Sequence, residues 1–236
     1  MIATSGHVLA VRAAKAATTS IPIVFLTGSD PVAAGFVESL ARPGGNLTGT
    51  ATLGVELEAK RLELLHGLVP NGKSVGALVR TTNPNADIQS RELNTAARMF
   101  GVTLLVVNAA TQHDFDAAFA QLAENNAGSL VIATDGLFIS HSAHLARLTV
   151  RHAIPAIFQY RAFAAAGGLM SYGASFADLY RKTGIYTGRI LKGEKPAELP
   201  VQQTTKAELI LNLTTAATIG LSVPLSLLGR ADEVIE

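Results

Sequence analysis

Apolar residues fall in short runs along this chain, and each run ends in a small or polar cluster. MIATSG, IPIVFLTGSDP, SVGALVRTTNPN, VTLLVVNAATQHD, SLVIATDG and IPAIFQYRAF all follow that plan, and most lead into a helical pattern. Buried-strand runs alternating with amphipathic segments predict βαβ units and parallel sheets. The helical segments carry one apolar stripe each. Leu93, Ala96, Ala97 and Phe100 recur at i, i+3, i+4 and i+7, as do Phe115, Ala118, Phe119 and Leu122. Leu62, Leu65 and Val69 do the same for a helix expected over residues 56–69. Residues 21–26 are continuously apolar and bounded by Thr27-Gly28, the pattern of a strand covered on both faces. Asp30-Pro31 then sets an N-cap acceptor before a proline at the first helical position, so a helix is expected to run on through Leu40.

Two glycine-rich stretches interrupt this rhythm, residues 41–54 (ARPGGNLTGTATLG) and 167–175 (GGLMSYGAS). They bracket four strand–helix repeats, which predicts a complete lobe inserted between two parts of another. The expected division is residues 1–51 and 174–199 for the first lobe and 52–173 for the second. Residues 200–236 add a C-terminal strand and helix that the pattern assigns to neither lobe. Ser175, with Asp178 three residues on, predicts a capping box at the start of a helix over 176–191.

Composition narrows the function classes. With 48% hydrophobic and 16% charged residues, the 236-residue chain buries a sizeable core and is not disordered. A net charge of +1 without a basic stripe offers no electrostatic case for a nucleic-acid partner. The absence of cysteine removes disulfides, thiolate metal sites and cysteine nucleophiles. Residues 209–229 are uncharged and long enough to span a bilayer, but Asn212, Thr214, Thr215 and Pro224 are costly in lipid, so no membrane span is expected. No G-x-S-x-G elbow, P-loop or G-x-G-x-x-G occurs, and the expectation is a non-enzyme without a cofactor. His141, His144 and His152 would share a face of a helix over 140–153, yet no carboxylate accompanies them and no metal site is expected.

Ligands of open parallel sheets bind beyond the carboxyl ends of the strands. The candidates are therefore Ser5 and Gly6, Ser29 and Asp30, Asn83, Asp135, and Tyr160 and Arg161. Ser29 and Ser5 would sit beside backbone N–H groups at helix starts, a natural seat for a carboxylate. Ser5 and Asp30 serve equally well as simple helix caps. Asp135 is either the partner of a ligand ammonium or part of an Asp-Gly turn. Tyr160 offers a face for an aromatic ring, and Arg161 a clamp for a carboxylate, a bridge between lobes or a solvated side chain.

Five stretches together resemble the substrate-binding proteins of ABC importers, in the tryptophan/tyrosine-type group with the type I periplasmic-binding-protein fold. They are TGSDPVAAGFVESLARPGGNLTG, ELEAKRLELLHGLVP, AGGLMSYGAS, DLYRKTGIYTGRILKGEKPAELPVQQ and ILNLTTAATIGLSVPLSLLGRADEVIE, and the likeness covers essentially the whole chain. The resemblance implies two Rossmann-like lobes that close on a small organic ligand, an amino acid or an aromatic or aliphatic carboxylate, and present it to an ABC permease in the periplasm. Family members usually carry a secretion signal and further strand–helix units before the position of Ile2. That comparison implies an N-terminally truncated first lobe with an unpaired strand edge, or a misassigned start; with Met1 as the true start the chain would be cytoplasmic. An acidic residue often follows the family arginine matched by Arg161, whereas here Ala162 stands there, which leaves a carboxylate ligand as open as an amino acid. The alternatives are a cytosolic ligand-sensing regulatory domain of the same fold and a non-functional truncated copy.

Overall fold

Strands and helices alternate along the computed structural model, which describes residues 1–4, 8–52, 57–204 and 207–236. In chain order these are β1 (Ile2–Thr4), α1 (Val8–Ala17), β2 (Ile23–Thr27), β3 (Leu47–Thr52), α2 (Glu58–Leu68), β4 (Ser74–Val79), α3 (Ala86–Met99) and β5 (Thr103–Asn108). There follow α4 (Phe115–Glu124), β6 (Leu130–Ile132), α5 (Gly136–Ser140), α6 (Ser142–Arg151), β7 (Ala156–Phe158), α7 (Arg161–Ala165) and β8 (Met170–Ala174). The last elements are α8 (Phe176–Leu191), β9 (Gln202–Thr204), β10 (Ala207–Asn212), α9 (Leu213–Thr218), α10 (Leu225–Leu228) and β11 (Glu233–Ile235). No described helix is long and apolar enough to cross a membrane. The chain divides into two compact units, Met1–Gly54 with Ala174–Ala207, and Val55–Gly173 with Glu208–Glu236.

The first unit is built on a sheet of order β1-β2-β3-β9 with parallel pairing throughout. Every residue of β2 is buried. Ile23 and Phe25 face a cluster with Val8 and Val11 of α1, Phe36 and Val37, while Val24 faces Tyr186 and Ile190 of α8 and Leu199. Alternate strand residues thus serve the two faces, which is why the apolar run has no polar member. The Tyr186 hydroxyl donates to the Pro200 carbonyl at 2.6 Å, giving this largely apolar side chain a partner for its polar tip.

Two local expectations are corrected in this unit, and one strand is added. After β2 the chain makes one turn instead of a helix through Leu40: the Asp30 carboxylate accepts from the Val32 and Ala33 N–H groups at 2.8 and 3.2 Å. Gly35, at φ 69°, then reverses the backbone, and the Phe36 N–H closes on the Pro31 carbonyl at 2.8 Å. A left-handed glycine ends a helical turn, and the side chains of Phe36 and Val37 beyond it both enter the core. The capping box at Ser175 is absent: its side chain makes no cap hydrogen bond, and Asp178 pairs with Arg181 and Lys182 at 2.7 and 2.6 Å. Polar β9 joins the sheet through backbone pairing with Thr50, Ala51 and Thr52, without an apolar run to announce it.

The second unit carries a sheet of order β11-β10-β8-β7-β6-β4-β5. Helices cover both faces. Val75, Ala77, Val131 and Ile157 pack with Leu62 and Leu65 of α2 and Leu93, Ala96 and Ala97 of α3; Leu78, Leu130, Ile132 and Phe158 pack with Phe115 and Phe119 of α4, Leu145 and Phe163. The C-terminal residues join this unit as β10, α9, α10 and β11. The helix expected over 140–153 is two helices meeting at His141. His141 and His144 set their rings 5.8 and 5.7 Å from Phe115, and His152 lies 5.5 Å from Phe119, so the three histidines edge the aromatic core of this unit.

Candidate functional site

In the second unit, the residues just beyond the carboxyl ends of β4, β6 and β7 form a connected polar rim. Asn83 and Asp135, far apart in sequence, meet here because β4 and β6 are neighbours. The Asn83 amide donates to Asp135 Oδ2 at 2.8 Å and to the Thr134 carbonyl at 3.1 Å, and its Oδ1 accepts from the Asn85 N–H at 2.9 Å. Asp135 is buried. Its Oδ1 caps α5 by accepting from the Leu137 N–H at 2.6 Å and lies 3.6 Å from Arg80 Nη1. Asp135 is thus the N-cap of α5, a role outside both the ammonium partner and the Asp-Gly turn expected from the sequence.

Beneath the rim lies a charged pair that the positions of the strand ends do not reveal. Glu58 and Arg61, on α2, are both fully buried. Glu58 Oε2 stands 3.1 Å from Arg61 Nη1, an ion pair not aligned as a hydrogen bond. Glu58 Oε1 accepts from the Thr134 N–H at 2.8 Å. Arg61 donates to the Tyr172 carbonyl at 2.8 Å and to Thr134 Oγ1 at 3.1 Å. Thr134 Oγ1 in turn donates to Gln159 Oε1 at 3.1 Å, and Gln89 Nε2 donates to the Thr134 carbonyl at 2.6 Å. Thr134, immediately before Asp135, is thus held through its N–H, its carbonyl and its hydroxyl. The sequence signal was present: Glu58 and Arg61 fall at i, i+3 on the same helical stripe as Leu62 and Leu65, where exposed charges do not belong.

Tyr160 occupies the N-cap position of α7, half-buried against the aromatic core. Arg161 forms a two-bond ion pair with Glu233 of the same unit, with Nε donating to Oε2 at 2.8 Å and Nη2 to Oε1. Paired carboxylate and guanidinium forks satisfy each other, and this pair ties β11 to the start of α7. The hydrogen bond from Arg161, reinforced by its charge, holds the Glu233 carboxyl below the ordinary value of 4.5. A carboxyl lowered on folding contributes stability above its unfolded pKa and loses it as pH falls through the folded value. In an NMR titration the Glu233 carboxyl is expected to titrate below 4.5 and to return toward that value in Arg161→Ala; an unchanged midpoint would disprove the coupling.

In the first unit, Ser5 and Gly6 lie outside the described residues. Ser29 donates its N–H to Thr27 Oγ1 at 3.1 Å, and Asp30 is committed to the turn described above. The helix dipole expected to favour an anion beside Ser29 is missing, since one turn of backbone does not make a helix. A cavity of about 420 Å³ in the second unit, lined by Arg147, Val150, Gly167 and Thr215 among others, sits at the opposite end of the sheet, beside the chain entering β7 and β8. It shares no residue with the rim.

This architecture, parallel strands flanked by helices with polar clusters at the carboxyl ends, is that of a type I periplasmic binding protein. The chain belongs to the ABC transporter substrate binding protein family, whose sequence pattern matches residues 1–235. It is 30% identical over 205 residues to a tyrosine-binding protein of Clostridioides difficile (strain R20291), covering 86% of this chain and 58% of that relative's length. Among solved structures it is similar to the ABC domain in complex with L-Trp from Streptococcus pneumonia, with a TM-score of 0.86 and 25% identity over 99% of this chain and 78% of the other. A conserved domain protein from Vibrio cholerae gives a TM-score of 0.86 at 27% identity, covering 98% of this chain and 77% of the other.

Proposed function

We propose that the protein is the solute-binding component of an ABC importer, which captures an aromatic amino acid or aromatic carboxylate outside the cytoplasmic membrane and delivers it to a permease. It binds its ligand without chemical turnover. The observation that carries this reading is the union of Asn83 and Asp135 at adjoining strand ends, where open sheets hold their ligands, in a chain of this family. Tyr160, at the next strand end, supplies a ring face. The tyrosine and L-Trp named for two relatives favour an aromatic side chain.

Calorimetric titration with L-tryptophan and L-tyrosine tests the reading. The wild-type chain is expected to bind at least one of them. Asn83→Ala is expected to weaken that binding about tenfold, the equivalent of about 1.4 kcal/mol, with an unchanged circular dichroism spectrum. Undiminished affinity in Asn83→Ala would remove the rim from the binding site.

A further inference from the structure

Resting on the rim as ligand site, we infer that Arg80, not Asp135, sets its charge preference, and that the group received there is a carboxylate. Asp135 is poorly placed to receive a cation. One oxygen caps α5 through the Leu137 N–H at 2.6 Å, the other takes the Asn83 amide at 2.8 Å, and the side chain is 1% exposed. An ammonium would have to reach a carboxylate closed off from solvent and enter beside the Arg80 guanidinium.

Arg80 stands in the contrary condition. Its backbone is fixed at the end of β4, where its carbonyl accepts from the Asn83 N–H at 2.9 Å. The side chain is 31% exposed, and its approach to Asp135, 3.6 Å from Nη1, is too long for a hydrogen bond. Its Nε is buried with no hydrogen-bond partner among the described residues. A guanidinium held beside a counter-charge but incompletely hydrogen-bonded retains donors for a further anion, and its planar fork suits a carboxylate. Asp135 then acts as the buried counter-ion that positions the fork. The other charged pair of the network, Glu58 with Arg61, is mutually compensated and adds no net charge.

Three probes on the full chain separate the possibilities: L-tryptophan, indole-3-propionate, which keeps the carboxylate alone, and tryptamine, which keeps the ammonium alone. Indole-3-propionate is expected to bind within about tenfold of L-tryptophan, and tryptamine at least a hundredfold more weakly. Arg80→Gln should lower affinity for both carboxylate probes about tenfold or more, and Arg80→Lys should recover part of the loss. Tryptamine binding as well as indole-3-propionate, or carboxylate affinities unmoved in Arg80→Gln, would overturn the assignment while leaving the solute-binding function intact. Failure of the wild-type chain to bind any of the three would overturn the aromatic-ligand reading and this inference together.

Discussion

Replacing Arg61 by methionine is expected to destabilise the second unit by about 3–5 kcal/mol, because it leaves the Glu58 carboxylate buried without its counter-charge. Both side chains are fully buried, so water cannot compensate the loss. Methionine fills much of the volume, so most of the cost comes from the removed charge and little from a cavity. Glu58→Gln combined with Arg61→Met should recover a large part of the loss, since the pair is then absent from both sides of the balance and glutamine retains an acceptor for the Thr134 N–H. A double-mutant cycle is expected to give a coupling of about 2 kcal/mol or more, within the range seen for contacting residues. Hydrogen exchange of the α2 and β6 amides reads the effect locally. Simple additivity of the two single replacements would show that the pair does not act as a unit. The same experiment bears on the rim, because Thr134 takes its position from Glu58 and Arg61.

In the first unit, Gly49→Ala is expected to cost about 3 kcal/mol, the upper part of the range for forced overpacking. Gly49 stands directly opposite Phe25 in the β2–β3 ladder, and an added Cβ would lie 1.9 Å from the Phe25 carbonyl oxygen. That atom belongs to the backbone of a fully buried strand and cannot swing aside, so β2 and β3 must separate. Gly45→Ala is the control. A Cβ there meets nothing within 4 Å, so its stability should change by only about half a kcal/mol, in either direction. Denaturant unfolding of the two variants measures the contrast, and equal stabilities would contradict the close approach.

What could be read in advance was whatever depended on burial by a large apolar surface. The run at residues 21–26 announced β2 because both faces of that strand are covered, and the stripe of Leu93, Ala96 and Ala97 announced α3 because one face of that helix is covered. Such patterns report the amount of covering and need no knowledge of the covering partner. The family resemblance likewise ran the length of the chain and is matched by the family pattern over residues 1–235. Asn83 and Asp135 were two of eight candidates that one rule supplied, that open sheets bind their ligands beyond the carboxyl ends of strands.

The remaining features needed the folded chain, because each is a choice among partners that a linear pattern leaves equally available. β9 and β11 are short strands with little apolar signal, held by the backbone of neighbours distant in sequence. The Arg161 fork met Glu233, 72 residues away. Asp135 accepts from Leu137 and Asn83 and stands beyond hydrogen-bond reach of Arg80, whose Nε has no hydrogen-bond partner among the described residues. Apolar burial is non-directional and sums over a stretch, so composition along the chain foretells it. Hydrogen bonds and ion pairs are directional and saturable, so only the arrangement of all competing donors and acceptors decides who is left with capacity to bind.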